Sequence, residues 1–203
     1  MSTGRVMPGG QYSFAVFEMV VLQGGYGIGD IFQVNATGTF GYGSVGTKLQ
    51  AVHPSGLFGG LAVGADLGYY PRTSRFSLAK NGIWTINAAA SVGNDDIMFH
   101  LNVMQIYQAD GSHSPDSYLQ AGCSLTLQRT GALRNQLMGE LWMREVNYPS
   151  PHFIMMVIPV GFRHASEGYV FEIAVMLGPS LRLDHQTSLP FIPLPYLGFQ
   201  WFM

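Results

Sequence analysis

The chain has 203 residues and a net charge of −2, with 11% charged and 47% hydrophobic residues. Such an apolar and aromatic chain is not disordered, its charge balance excludes a typical nucleic-acid binder, and its single Cys excludes a disulfide scaffold and a Cys-ligated zinc site. Soluble domains carry roughly 25% charged residues. The composition therefore indicates an outer surface that faces a partner or a bilayer.

The apolar stretches of the chain do not predict a transmembrane helix. A helical span needs about 20 consecutive apolar residues. Glu18 interrupts residues 14–22, Pro159 interrupts residues 153–162, and prolines interrupt residues 188–203. The other structure that satisfies every backbone group in lipid is a closed β-barrel, whose signature is alternating segments of about ten residues between turns.

Alternation of apolar and polar residues predicts the strands in chain order. It is clearest in residues 31–43, where Phe32 and Val34 alternate with Gln33 and Asn35, and it recurs in residues 57–69 and 117–128. With weaker segments, we predict an all-β fold, an antiparallel up-and-down transmembrane β-barrel of about 10–12 strands. The eleven predicted strands are residues 11–22, 31–43, 44–52, 57–69, 82–93, 96–108, 117–128, 132–146, 152–164, 168–178 and 190–203.

Residues 132–146 fit two patterns. They are rich in helix formers, and Leu133, Leu137 and Leu141 are spaced four apart, which also suits a helix. A strand would place these leucines on one face and the charged residues of the segment on the other. We predict a strand, because every neighbouring segment is predicted to be one.

The connections between the predicted strands alternate in length. Those at 53–56, 93–95, 129–131 and 165–168 are short, and most of the intervening ones are longer, as in outer-membrane barrels with short periplasmic turns. An odd count of eleven conflicts with the even number of such barrels, so one strand is wrongly divided or a strand precedes Met1. No signal peptide follows Met1, and we expect a single barrel domain over 1–203 with a truncated N-terminus.

The C-terminal residues 196–203 carry a recognisable pattern. Tyr196, Gly198, Trp201 and Met203 resemble the terminal insertion signal of bacterial outer-membrane barrels. We expect this segment to pair with both the preceding strand and the first strand, because an open edge in lipid leaves backbone groups unpaired. Proline has no backbone N–H to donate to the hydrogen bonds between strands. Regular pairing of this segment is therefore expected only after Pro195.

A second resemblance lies in residues 24–30, where a glycine-rich segment with Tyr26 and Asp30 looks like a turn motif of porin-like proteins. The chain as a whole is similar to porin-like outer-membrane β-barrel proteins of Gram-negative bacteria. The resemblance implies location in the cell outer membrane, contact with its lipid, and recognition of the C-terminal strand by the barrel-assembly machinery. It implies no particular solute.

Polar faces of the predicted strands supply the candidate functional residues. Inside a barrel they would line a narrow, partly filled lumen, with a small solute as a possible ligand and without a cofactor, a metal ion or nucleic acid. Tyr and Trp near strand ends (Tyr69, Tyr70, Trp84, Tyr148, Tyr169 and Trp201) should form two interfacial girdles. The candidate lining residues are Gln33, Asn35, Thr37, Thr39, Gln120, Ser124, Thr126, Gln128, Arg134, Gln136, Glu140, Arg144 and Glu172.

Two alternatives to a passive channel stay open. His164 and Ser166 share a strand face and resemble the His-x-Ser pair of outer-membrane lipid hydrolases, where they would act as base and nucleophile. Those families place an Asn after the Ser, whereas Glu167 and Gly168 follow here, which favours a polar turn. A soluble lipocalin-like ligand-binding barrel would place the apolar faces inside and the polar faces outside.

Overall fold

A computed structural model describes residues 5–17, 21–39, 41–69, 82–108, 116–146, 153–177, 180–182 and 193–203. Within these ranges the chain forms thirteen strand segments and no helix. The segments are β1 (Tyr12–Phe17), β2 (Val21–Ile28), β3 (Phe32–Gly38), β4 (Gly43–Val52), β5 (Phe58–Tyr69), β6 (Gly82–Gly93), β7 (Ile97–Gln108), β8 (Asp116–Thr130), β9 (Leu133–Val146), β10 (Phe153–Ala165), β11 (Tyr169–Leu177), β12 (Ser180–Arg182) and β13 (Leu194–Phe202).

The strands close into one antiparallel barrel. Neighbours in sequence pair from β1 to β10, β10 pairs with β11, and β13 pairs with both β11 and β1. The short β12 continues β11 along the same edge of β10. The two therefore occupy one position in the ring, which has twelve strands. The predicted class of an all-β, up-and-down antiparallel barrel is confirmed.

The described residues contain no helix that is both long enough and apolar enough to cross a membrane.

Residues 133–146 form a strand although their composition favours a helix. Leu137 lies opposite Leu125 of β8 on one side and opposite Phe162 of β10 on the other. Each side of β9 thus has a backbone ladder along most of its length, and a strand satisfies both partners where a helix would satisfy neither. Tertiary pairing overrides the intrinsic propensity here.

The predicted strand over residues 11–22 is wrong, because this segment contains β1 and the start of β2. The glycine-rich residues 24–28 belong to β2, and the turn after them lies at residues 29–31. β2 pairs with Tyr12–Phe17 on one side and with Phe32–Gly38 on the other. It supplies the twelfth strand that the odd count lacked.

The two ends of the barrel differ in their connections. Residues 29–31, 53–57, 94–96, 131–132 and 166–168 form tight connections at one end, which we call the short-turn end. β1 begins and β13 finishes at this end, where Tyr12 and Met203 exchange backbone hydrogen bonds of 2.8 and 2.9 Å. Every residue of β1 therefore lies opposite the C-terminal segment, as expected for a strand that closes the ring.

Pairing of β13 begins earlier than predicted. The strand starts at Leu194, and Pro195 lies opposite Val175 of β11. Phe202 donates its N–H toward β11 and Met203 donates toward β1, so odd positions of β13 direct their backbone nitrogen toward β1. β1 pairs only as far as Gly198. Pro195 therefore lies beyond that ladder, where its missing N–H costs no bond.

Candidate functional site

The two faces of the barrel wall differ in polarity. Outward side chains are mainly apolar and exposed, as at Val103, which is 45% exposed, whereas Ser124 on the inner face is 4% exposed. Alternation along every strand produces this division. Exposed apolar side chains of the outer face include Val34, Val63, Ile86, Leu101, Val103, Leu119, Leu125, Phe171, Ile173, Val175 and Leu197.

Outward aromatic side chains lie in two groups, one at each end of the barrel. At the short-turn end, Tyr12 stacks on Tyr26 at 4.5 Å, and Phe199 lies between Tyr169 and Trp201. At the opposite end, Trp84 of β6 lies across from Tyr107 of β7, and Tyr69 finishes β5. Tyr70 and Tyr148, which were expected in the same girdles, lie outside the described residues.

Most of the predicted lining residues lie on the inner face. The side chains of Gln33 and Asn35 bond at 2.6 Å, and Gln120 donates to Glu140 at 2.5 Å. The indole of Trp142 donates to the same Glu140 carboxylate. Cross-strand register joins the inner residues in pairs: Gln23–Thr37, Ser124–Met138, Thr126–Gln136 and Arg163–Glu172.

Three predicted lining residues lie away from the inner face, and the side chain of a fourth lies outside the described residues. Thr39 follows β3 and accepts the Gly41 N–H in an exposed turn. A bulge between Thr126 and Gln128 shifts the register, so Gln128 bonds Asn135 on the outer face. Arg134 lies at the short-turn rim, 3.9 Å from Asp95. Arg144 lies opposite Tyr118 in β9, and its side chain is outside the described part.

Residues 5–11, which we call the N-terminal segment, enter the interior at the short-turn end. The Val6 N–H donates to Gln50 at 2.8 Å, and the Met7 N–H donates to Gln33 at 2.9 Å. Met7 is 8% exposed. The segment therefore uses inner-face amides of β3 and β4 as partners for backbone groups that leave water.

Inward glycines of β2 make room for this segment. A Cβ on Gly27 would overlap the carbonyl oxygen of Pro8, and a Cβ on Gly9 would lie 2.7 Å from the Cα of Gly29. Gly29 also has a φ of +55°, which suits the turn. The glycine run read as a turn motif is thus a groove for the N-terminal segment.

A cavity of about 490 Å³ lies between the N-terminal segment and the wall. Arg163 Nε lies 2.6 Å from Glu172 on the next strand, and this ion pair forms one side. Lys48 donates to the backbone carbonyl of Arg5 at 2.7 Å, and Arg5 donates to the Gly59 carbonyl at 2.8 Å. The side chains of Arg163 and Glu172 are mostly buried, and a buried ion pair requires such close geometry.

The three cations of this cavity were not among the predicted lining residues. Period-2 alternation would have placed Lys48 on the face of Gln50, and Arg163 on the face opposite Phe162 and His164. That pattern was a usable signal for both. The placement of Arg5 inside the barrel has no such signal, because the N-terminal segment is not a strand.

His164 lies on the outer face at the short-turn end. Its Nδ1 is 2.7 Å from Asn135 Oδ1 on β9, and its Nε2 is 3.2 Å from the Tyr169 hydroxyl on β11. If Nδ1–H donates to Asn135, Nε2 accepts from Tyr169. Both ring nitrogens are therefore engaged by residues other than Ser166, whose backbone N–H donates to the Tyr169 carbonyl.

Neither metal-ligating side chains nor similarity to known proteins points to a further site in the described residues. Among the described residues, no group of three His, Cys, Asp or Glu side chains is arranged to hold a metal ion. His100 on the inner face instead bonds Ser91 at 2.9 Å. No protein-family model and no curated protein matches the sequence. Function must therefore be inferred from the two faces of the barrel and from its interior.

Proposed function

We propose that this chain is an outer-membrane β-barrel whose narrow, partly filled lumen passes small solutes by passive diffusion. One observation carries the proposal: the apolar side chains face outward while the amides and charges face inward. This inverts the pattern of a water-soluble barrel that holds an apolar ligand. A lipid environment is the one in which such an outer face is stable.

The dimensions of the wall support the proposal. β6 and β7 each have twelve residues. At about 3.4 Å per residue and a tilt of about 40°, such strands rise roughly 30 Å, which matches the hydrocarbon core of a bilayer. The aromatic side chains gather near the two ends of this height, where Tyr and Trp favour the membrane interface.

The connections support an orientation in the membrane. All five connections at the short-turn end have at most five residues, and the last residue of the chain lies there too. The opposite end has two short connections, 18–20 and 39–42, but also the longest ones of the chain, 70–81 and that between β11 and β13. In outer-membrane barrels the short turns face the periplasm. With the same orientation here, the N-terminal segment would occupy the periplasmic half of the lumen and restrict passage to small solutes.

A lipid hydrolase is the second candidate that a specific contact favours, since Asn135 orients the His164 ring. A nucleophile must lie within hydrogen-bond reach of its base. The described contacts give Nε2 to Tyr169 and not to Ser166. The passive channel is therefore the better supported function.

Reconstitution of the full chain tests the proposal. Refolded protein should change its electrophoretic mobility on heating and should make liposomes permeable to a monosaccharide but not to a long dextran. Heat-denatured protein added to the same vesicles is the control. A protein that stays monomeric in detergent-free buffer and leaves vesicles untouched would contradict the membrane proposal.

A further inference from the structure

Two side-chain amides of the barrel wall hold the N-terminal segment by its backbone. Gln50 Oε1 accepts the N–H of Val6 at 2.8 Å, and Gln33 Oε1 accepts the N–H of Met7 at 2.9 Å. A backbone N–H is present in every residue except proline. These two contacts therefore recognise an extended chain without regard to which side chains it carries.

The wall fixes the orientation of both amides. Gln33 Nε2 donates to Asn35 Oδ1 at 2.6 Å. Gln50 Nε2 donates to the backbone carbonyls of Val52 at 2.8 Å and Leu61 at 3.1 Å. Because the wall holds the nitrogen of each amide, the carbonyl oxygen of each is directed to accept an N–H from a chain inside the barrel.

One side chain of the N-terminal segment is buried in an apolar part of the interior. Met7 is 8% exposed, and its Cε lies 3.0 Å from the position that a Cβ on Gly25 would take. Phe17, Val170 and Phe202 line the adjoining cavity of about 490 Å³ together with Met7. The interior therefore accepts a flexible apolar side chain directly after the first bonded N–H.

The N-terminal segment can leave the interior without opening the barrel. The turn from Pro8 to Gln11 joins it to β1, with the Gln11 N–H donating to the Pro8 carbonyl at 3.2 Å and Gly10 at a φ of +79°. Residues 5–7 precede this turn and belong to no strand. Their exchange for another chain leaves the ladders between the strands intact.

We propose that the short-turn end of the lumen is a peptide-binding site and that the N-terminal segment is its internal occupant. The ligand is a short extended peptide. Gln50 and Gln33 bond the N–H groups of two consecutive residues, and the second of these residues carries an apolar side chain. The inference rests on the proposed function only in taking the lumen as the path by which the peptide arrives.

Peptide binding to the full-length Met7→Asp variant tests the site. A buried carboxylate is costly, so this variant should release its own segment while the strands stay paired. Calorimetric titration in detergent uses an acetylated and amidated peptide with the sequence of residues 5–8. This peptide should bind once per chain, at least tenfold more tightly than to the wild type, whose own segment competes.

Met7→Leu is the matched control, because it keeps an apolar side chain at the buried position. It should bind the peptide as weakly as the wild type does. Two results would overturn the proposal: no binding to a Met7→Asp chain that still shows heat-modifiable mobility, or equal affinity of the peptide for the Met7→Asp and wild-type chains.

A methylated peptide tests recognition of the backbone. Methyl groups on the backbone nitrogens of its second and third residues keep every side chain but prevent donation to Gln50 and Gln33. This peptide should bind the Met7→Asp chain at least tenfold more weakly, because two hydrogen bonds are lost. Equal binding of the methylated and unmethylated peptides would contradict the site.

Variants of the wall locate the binding. In the Met7→Asp chain, Gln33→Leu removes one acceptor and should weaken the unmethylated peptide about fivefold. Thr37→Val changes another inner-face residue of β3 that lies outside the cavity lining, and it should leave the affinity within twofold. Equal losses in the two variants would contradict a site at Gln33. If Gln33→Leu does not refold, the methylated peptide decides.

Two results separate this inference from the proposed channel. A protein that makes vesicles permeable, but whose Met7→Asp variant binds no peptide, keeps the channel and loses the peptide site. A protein whose Met7→Asp variant binds the peptide, but which passes no solute, keeps the site and loses the channel.

Discussion

Gly27 of β2 lies against Pro8 of the N-terminal segment so closely that a Cβ at Gly27 would overlap the Pro8 carbonyl oxygen. Backbone packs on backbone at this position. The N-terminal segment fits inside the barrel because residue 27 is a glycine, which has only a hydrogen atom where other residues have a Cβ. The contact links the composition of one strand to the space that is left inside the barrel.

Gly27→Ala should therefore expel the N-terminal segment or force β2 to shift. We expect a loss of roughly 1–3 kcal/mol in the free energy of unfolding, the range for overpacked sites, and a higher solute flux into liposomes. Gly24→Ala is the matched control, because a Cβ there has only the Ser13 carbonyl at 3.9 Å nearby. Unchanged flux and stability in Gly27→Ala would contradict the packing of this segment.

Val103→Arg tests the outward apolar band. Val103 lies near the middle of β7 and points outward. A cation at the bilayer midplane of a barrel costs about 2–4 kcal/mol, so the variant should unfold from lipid vesicles at lower urea. His53→Arg, at an exposed position in the connection after β4, should cost less than about 1 kcal/mol. If the two variants have equal stability in lipid, Val103 does not face hydrocarbon.

Deletion of residues 196–203 should abolish folding into vesicles. All but the last of these residues belong to β13, which pairs with both β11 and β1, so their removal would leave two unpaired edges in lipid. Trp201→Lys should reduce folding by placing a charge among outward aromatic rings. His164→Ala, which removes polar contacts at the same end, should still show heat-modifiable mobility. Normal assembly without the last strand would refute its closing role.

Asp95, in the turn between β6 and β7, should titrate below its ordinary pKa of 3.8. A hydrogen bond from Arg129 lowers the pKa of Asp95 most, and the charges of Arg134 and Arg129 lower it further. A lowered pKa means that the pair stabilises the folded state above the ordinary pKa and loses that contribution as the pH falls through the lowered one.

Carboxyl chemical shifts followed by NMR give this pKa directly. Arg129→Gln should move the midpoint of Asp95 upward, with a change in stability of about 1 kcal/mol or less because the pair is exposed. An Asp95 midpoint that does not move in Arg129→Gln would show that the contact is absent in solution.

Period-2 alternation was sufficient to predict the barrel, but not every strand. β2 was missed because Gly24, Gly25 and Gly27 remove the contrast between its faces. Gly25 and Gly27 make room for the N-terminal segment inside the barrel. The path of that segment cannot be predicted from the alternation of apolar and polar residues in the strands. Gln128 was assigned to the inner face because a single extra residue at the bulge reverses the alternation.

The charged cavity required cross-strand register. Lys48 and Arg163 lie 115 positions apart in sequence and on strands that are not neighbours. Each was predictable as an inward residue of its own strand. Their common position depends on closure of the ring and on the path of the N-terminal segment, and neither leaves a periodic signal.

Cys123 provides the most direct test of the central claim that the outer face lies in lipid. It is the single Cys of the chain, lies near the middle of β8 and is exposed on the same face as Phe99. A fluorophore on Cys123 of the refolded protein in vesicles should be quenched by nitroxides on lipid acyl chains and not by aqueous iodide. Strong quenching by iodide, without quenching by the lipid nitroxides, would place this face in water and contradict the membrane barrel.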